Sequence, residues 1–262
     1  MHLTRFRFNT ARAGARRLLS SPQRLHAAVM AGFPDLLPGD TTTPGSPRVL
    51  WRADHNARAE VLLYIVSPTA PDLTHLVEQA GWPAAAQPGW KTHDYASFLA
   101  RLTPGSTWNF RLTANPVHSI RREDGEPTKR TAHRTPHHQV GWLVERQDAL
   151  GIRLLERPAH LRGPRERHEH LQVVVHDRHR REFDKTTAPG QNVATGPDGR
   201  PQARKRNRVT MVTATFDGLL EVTDPDALRH TLTTGVGRGK AYGCGLMTLA
   251  PAPDTAPAGA TS

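Results

Sequence analysis

The sequence predicts an α+β protein of two tandem ferredoxin-like units, and three observations carry that reading. The first eighty residues alternate strand-like and helix-like patterns in the order β-α-β-β-α, one strand short of a complete unit. The full order β-α-β-β-α-β is read again from residue 106 to residue 251. A Pro104-Gly105 turn signal separates the two stretches. The repeat is one of architecture, not of sequence.

The first unit is expected over residues 1–103. Leu3, Phe6 and Phe8 mark LTRFRFN as an opening strand, with an imperfect alternation that predicts partial cover on both faces. Residues 10–21 carry Arg12, Arg16 and Arg17 and read as a solvated basic loop or short helix. Ser21-Pro22 is a helix start, with Ser as N-cap and Pro in the first turn. That helix is expected to reach Ala31, with Leu25 and Val29 inward and Gly32 and Pro34 as its stop. His26 lies beside its apolar stripe. Residues 38–47 read as a loop, followed by strands at 48–54 and 59–67 around a short His-Asn turn. Asp72 to Ala80 reads as a helix closed by Gly81. Residues 89–99 are the candidate for the missing strand, on a poor pattern.

The second unit is expected over 104–251, opening with the strand STWNFRLTANP. Thr135-Pro136 starts a helix expected to run to Leu150, with Val140, Leu143, Val144 and Ala149 on its apolar side and Gly151 as its stop. Ile152 to Leu155 and His170 to His176 read as strands. Residues 185–208 are rich in Lys, Arg, Gly and Pro and read as a mobile hairpin tip. Asp217-Gly218 is a hairpin signal that predicts a strand pair over 209–224. A helix from Asp226 to Thr233, a glycine-rich loop and a last strand follow, and residues 252–262 read as a disordered tail.

Charge narrows the partners. The net charge is +11 and the sequence pI is near 10.9, which favours a polyanion, nucleic acid before an acidic membrane. Cys244, the single cysteine, excludes an intramolecular disulfide and a multi-cysteine zinc site. No apolar run of about 18 residues occurs, and MHLTRFRFN has no signal-peptide core. A cytoplasmic protein without a membrane partner is the expectation.

The stretch richest in chemistry is GVGRGKAYGCGLMTLAP, residues 235–251. Its glycines let backbone approach a bulky anion, and successive N–H groups can form an anion nest to which Arg238 and Lys240 add charge. No Lys-Ser or Lys-Thr pair closes it and no helix follows it, so it is neither a P-loop nor a dinucleotide fingerprint. Further basic segments are Arg121, Arg122, Lys129 and Arg130, then Arg178, Arg180 and Arg181, then Arg204, Lys205, Arg206 and Arg208. The last two runs flank the expected hairpin tip as its arms. Aromatic residues are few, at 6%, which favours gripping a stem by charge and shape over base stacking. The histidine clusters 137–138, 168–170 and 176–179 lack HExxH spacing. His168 and His170 would share a side on a strand and so could share a metal, yet an RNA-facing basic surface is the preferred reading, and no metal or cofactor is expected.

LTRFRFN, the segment ending at Arg17, the helix with His26, FRLTANP, TPHHQVGWL and the glycine-rich run occur here in one order. The ordered set resembles the repeat-RNA endoribonucleases of type I-E CRISPR systems, across residues 1–251. The resemblance implies two ferredoxin-like (RRM-like) domains. It also implies metal-independent cleavage of precursor RNA at the base of the repeat hairpin, and retention in the Cascade complex with its other subunits. It places the catalytic histidine at His26, and the basic hairpin on the repeat stem. Such cleavage uses the RNA's own 2′-hydroxyl, so the protein needs proton carriers and cations rather than a nucleophile. Gly237, Arg238, Gly239 and Lys240, with Arg16, Arg17 and Arg24, are the residues expected to hold phosphate near His26. Where the family commonly has Tyr and some members have Lys, this chain has Gln23 and Ala31. The second proton carrier therefore stays open, and a non-catalytic RNA-hairpin-binding subunit is the alternative.

Overall fold

The computed structural model describes residues 1–34, 48–56, 60–84, 89–120, 129–158, 160, 168–184 and 208–252. The opening strand β1 spans His2–Phe8, with Thr4, Phe6 and Phe8 buried and Arg5 and Arg7 exposed. Leu3 sits on the opposite face from the phenylalanines and packs against the apolar core that the two units share. Helix α1 is Ala13–Leu19 and α2 is Pro22–Met30, with the Ser21 hydroxyl accepting the Arg24 N–H at 3.4 Å. Leu25, Val29 and then Phe33 form the buried stripe. Strands β2, Leu50–His55, and β3, Val61–Ser67, precede α3, Thr74–Ala80. The fourth strand, β4, is only Trp90–Asp94, and Asp94 then caps α4, Tyr95–Leu99. β4 lies at the sheet edge with most of its residues exposed or half-exposed, so it carries no apolar alternation for a sequence reader to find. The sheet order β4-β1-β3-β2, all antiparallel, is ferredoxin-like.

The second unit repeats that plan. Strand β5 is Thr107–Ala114, and a small hairpin of β6, Val117–Ile120, and β7, Lys129–Ala132, follows. The helix expected to reach Leu150 is two helices, α5 (Pro136–Val144) and α6 (Gln147–Leu150). At the break Arg146 donates its backbone N–H to the Leu143 carbonyl, and its guanidinium takes the Trp142 carbonyl at 2.6 Å. Trp142 is buried and Ala149 exposed, because the break rotates the following residues off the stripe.

Strands β8 (Ile152–Leu154), β9 (Val173–Asp184) and β10 (Arg208–Val222), helix α7 (Pro225–Thr234) and strand β11 (Met247–Pro251) complete the unit. The order is β11-β5-β10, with β8 and β9 sharing the other edge of β10, so two strands fill one ferredoxin-like position. Asp217-Gly218 is no turn. β10 runs straight through it, because Arg111 on β5 takes the Asp217 carboxylate at 2.6 and 2.7 Å. Gly218 is required there by crowding, since a Cβ would run into the Gln172 carbonyl oxygen.

The two sheets meet over a buried ionic centre. Arg52, 1% exposed, donates Nε and Nη2 to Asp54 at 2.6 and 2.9 Å. Its Nη1 bonds the carbonyls of Arg111 and Leu246 at 2.8 and 3.0 Å, and Nη2 also reaches Thr248 Oγ1 at 2.8 Å. All five guanidinium donors are therefore used, three of them on the second unit. Around this centre one apolar core continues from Leu50, Val66 and Tyr95 into Leu112, Phe216 and Met247. A separate core under α1, α2 and α3 holds Phe6, Trp51 and Ile65.

Removing Asp54 leaves a buried guanidinium without its carboxylate, a loss of about 3–5 kcal/mol. Urea unfolding of Asp54→Ala should show a drop of that order. Arg7→Ala, which removes the exposed pair with Glu60 at 3.6 Å, should leave stability nearly unchanged.

Candidate active site

α2 carries His26 half-exposed on the side that meets β2. Its Nδ1 accepts the indole N–H of Trp51 at 3.3 Å. Burial holds the His26 pKa below its ordinary value, so the ring is neutral at pH 7. Gln23 lies one turn before His26, and Ala31 caps the helix end. Neither side chain can carry a proton at neutral pH.

The glycine-rich run, far along the chain, folds back onto this helix. Within it a 3₁₀ turn, Lys240–Tyr242, packs against α2 and β2. Gly243, at φ 80°, lies flat on Trp51; a Cβ there would sit 2.7 Å from the ring. The anion nest is narrower than the sequence suggests. The amides of Val236, Tyr242, Cys244 and Gly245 already donate within the fold. What the loop offers an anion is charge: Arg238, exposed, and Lys240, partly buried. Burial, and then the nearby Arg48, lower the Lys240 pKa. Arg48, which the sequence reading did not single out, has a buried Nε without a hydrogen-bond partner among the described residues. Cys244 is fully buried, its thiol pushed up to about 12, and so takes no part in the chemistry at neutral pH.

The basic run 178–181 lies on β9, an arm of the hairpin as expected, and it splits between faces. A bulge at Asp177, φ 46°, sets the alternation beyond it. Arg181 and His179 pair with Met211 and Thr213 of β10, and Met211 touches the Cβ position of Gly239. Phe183 meets Tyr242 edge-on at 4.7 Å. Arg181 thus stands with the glycine loop, and together with burial it lowers the pKa of His55. Arg178 and Arg180 are exposed, Arg180 bonding Glu182 at 2.7 Å.

Arg16 is already engaged: its Nη1 binds the carbonyls of Thr10 and Ala11 at 3.2 and 2.6 Å, which fixes the β1–α1 connection. Arg17 and Arg24 are exposed and make no ion pair among the described residues. Gly237 is exposed next to Arg238. Lys129 and Arg130 lie on the backbone of β7, and Arg208 starts β10; their side chains are outside the described residues. Arg121, Arg122, Arg204, Lys205 and Arg206 are outside them altogether.

His168 and His170 occupy a turn before β9 rather than a strand, and they part. His170 approaches Glu156 at 3.9 Å, while His168 meets the ring of His137 at 5.4 Å. A row of imidazoles continues through His138 to His133 and His118, the last two with centroids 4.3 Å apart. Among the described residues no group of three His, Cys, Asp or Glu side chains could hold a metal ion. No helix among them is long and apolar enough to cross a membrane.

The model of a family described as "CRISPR associated protein" matches residues 1–251. The chain belongs to this family. It is 32% identical over 253 residues to the CRISPR-associated endoribonuclease Cse3 of Thermus thermophilus, covering 96% of this chain and all of that one. It is similar to the Thermus thermophilus Cse3 structure bound to an RNA representing a pre-cleavage complex. There the identity is 28%, the TM-score 0.66, and 95% of this chain and 98% of that one are covered. A chain of a CRISPR RNA-guided surveillance complex, pre-nicking, has the same fold at TM-score 0.57 and 23% identity, covering 96% and 100%. In this CRISPR-associated chain the sequence-read His26 and glycine loop are brought together. Trp51 and Arg48 join them without any signal in the sequence beyond their places in or near a strand.

His26, His55 and His133 all have lowered pKa values, each first through burial. The unfolded chain binds these protons more readily, so their contribution is whole above about pH 6.5 and is lost as pH falls through the folded values. The Tm should fall on acidification, and His26→Gln should show a shallower fall by calorimetry between neutral and mildly acidic buffers.

Proposed function

We propose that this chain is a metal-independent endoribonuclease that cuts CRISPR precursor RNA within the repeat, at the 3′ base of the hairpin. The observation that carries the reading is His26 set beside the cationic glycine loop in a chain of this family. The relative's name and its RNA-bound pre-cleavage structure support it. The RNA 2′-oxygen attacks the scissile phosphorus, its proton passes to a base, and the bond to the 5′-oxygen breaks as that oxygen gains a proton. The products are a 2′,3′-cyclic phosphate and a 5′-hydroxyl. His26 takes part through an imidazole that is neutral near pH 7. Lys240, with its lowered pKa, is the candidate for the second carrier in place of the absent Tyr and Lys. Arg17, Arg24, Arg181 and Arg238 supply charge around the phosphates, and Gly237 and Gly239 allow the backbone to come close.

The same reading places a first domain over residues 1–103, a second over 104–251 and a tail over 252–262. It keeps the cleaved RNA on the protein as a subunit of cytoplasmic Cascade. Gln23 and Ala31 favour a second reading, a non-catalytic subunit that only binds the RNA hairpin.

Incubation of repeat RNA with the protein in excess EDTA separates the two. The wild type should cut under chelation. His26→Ala should be slower by about 10²–10⁴-fold with its RNA affinity nearly unchanged. Cleavage that needs a divalent ion, or wild-type rates in His26→Ala, would overturn the assignment. RNA affinity should fall steeply with salt. Arg24→Ala with Arg238→Ala should flatten the log–log slope by about 0.7–0.9 for each phosphate that is no longer neutralised.

A further inference from the structure

Among the described residues, Trp51 makes a directed contact with the His26 ring, and its chemistry fixes more than position. The Trp51 indole is a donor only, so the Nδ1 atom that receives its N–H at 3.3 Å must carry the lone pair. A neutral imidazole then has its proton on Nε2. Trp51 cannot drift. It is 3% exposed, packed in the core under α2, and capped by Gly243, where a Cβ would lie 2.7 and 3.0 Å from ring atoms. The orientation of His26 is therefore set by a rigid ring clamped between the first unit's core and the glycine loop of the second.

We propose that Trp51 is the positioning residue for cleavage: its indole N–H holds His26 as the Nε2–H tautomer and ties the imidazole to the seating of the glycine loop. This rests on the endoribonuclease reading. Protonation of the ring would place an N–H on Nδ1 against the indole N–H, so Trp51 opposes imidazolium in the same direction as burial does. The Nε2–H edge, turned away from Trp51, is the edge that meets the RNA: it donates toward the scissile phosphate and the leaving 5′-oxygen, and the 2′-proton goes to the neutral form of Lys240. Other charged or titratable groups on the elements packed around His26 are Arg24 of α2 itself and Arg16 and Arg17 of α1. His75 and Glu78 lie on α3, His75 bonding the Ala28 carbonyl at 2.8 Å; Arg52, Asp54 and His55 lie on β2, and Lys240 and Tyr242 on the 3₁₀ turn. All of these remain when Trp51 becomes Phe, so that substitution reads the indole N–H.

The test is single-turnover cleavage of repeat RNA in EDTA, with enzyme in excess, over a pH series for wild type and Trp51→Phe. RNA Kd and Tm are measured alongside. Long-range ¹⁵N NMR of the RNA-free wild-type protein reports the His26 tautomer without any mutation. Trp51→Phe should cut about 10- to 100-fold more slowly. Its Kd should be unchanged, and the limb of the pH–rate profile that belongs to His26 should move to higher pH. Wild-type His26 should give the Nε2–H pattern, and the variant a mixture. An unchanged rate and pH profile in a folded Trp51→Phe, or an Nδ1–H tautomer in the wild type, would overturn the proposal. If the wild type does not cut at all, the endoribonuclease reading fails and takes the role in cleavage with it; the NMR tautomer then tells whether the Trp51–His26 contact itself was right.

Discussion

A single guanidinium sets the geometry of this molecule. Arg52 lies at the seam of two sheets with every donor engaged, three of them on the second unit. A buried cation is tolerable only when fully paired and hydrogen-bonded, so the seam has one favourable register. Arg111 extends the pairing outward, from Asp54 at 3.6 Å to Asp217 at 2.6 Å, and His176 reaches Asp217 at 3.1 Å. Burial works against the Asp217 charge, yet Arg111 and His176 hold its pKa below the usual carboxylate range. The chain of charges runs from β2, an edge strand of the first sheet, to β10 of the second.

The site follows from that register. Strand residues alternate faces, so fixing Arg52 and Asp54 toward the second unit turns Trp51 to the other side, under α2. Arg52 also grips Leu246 and Thr248, the residues that follow the glycine loop. The loop is thereby anchored at the end where Gly243 meets Trp51. One strand thus ties the glycine loop with its outward face and orients His26 with its inward one. The hairpin arm closes the arrangement from a third side through Arg181 and Phe183.

Local chemistry was readable where a residue's role is decided by its neighbours in sequence. Ser21-Pro22 starts α2, Thr135-Pro136 starts α5, and Gly151 in the left-handed region ends α6, all as read. It misled where partners come from elsewhere. Asp217-Gly218 has the composition of a turn, but Arg111 and the crowding at Gln172 make it mid-strand. β4 was faint because an exposed edge strand needs no alternating pattern. Arg16 looked like a free cation and is bound to two local carbonyls.

The sequence alone determined the α+β class with its ferredoxin-like succession of elements, the basic character, the helix bearing His26 and the glycine-rich loop at 235–251. Periodicity, caps and composition are local properties, and these features need nothing more. Only the tertiary structure decided that the loop stands over that helix, that Trp51 lies between them, and that Lys240 is buried enough to lose part of its hold on a proton. Those facts depend on how two sheets pack around one buried guanidinium, and no residue's sequence neighbours carry that information.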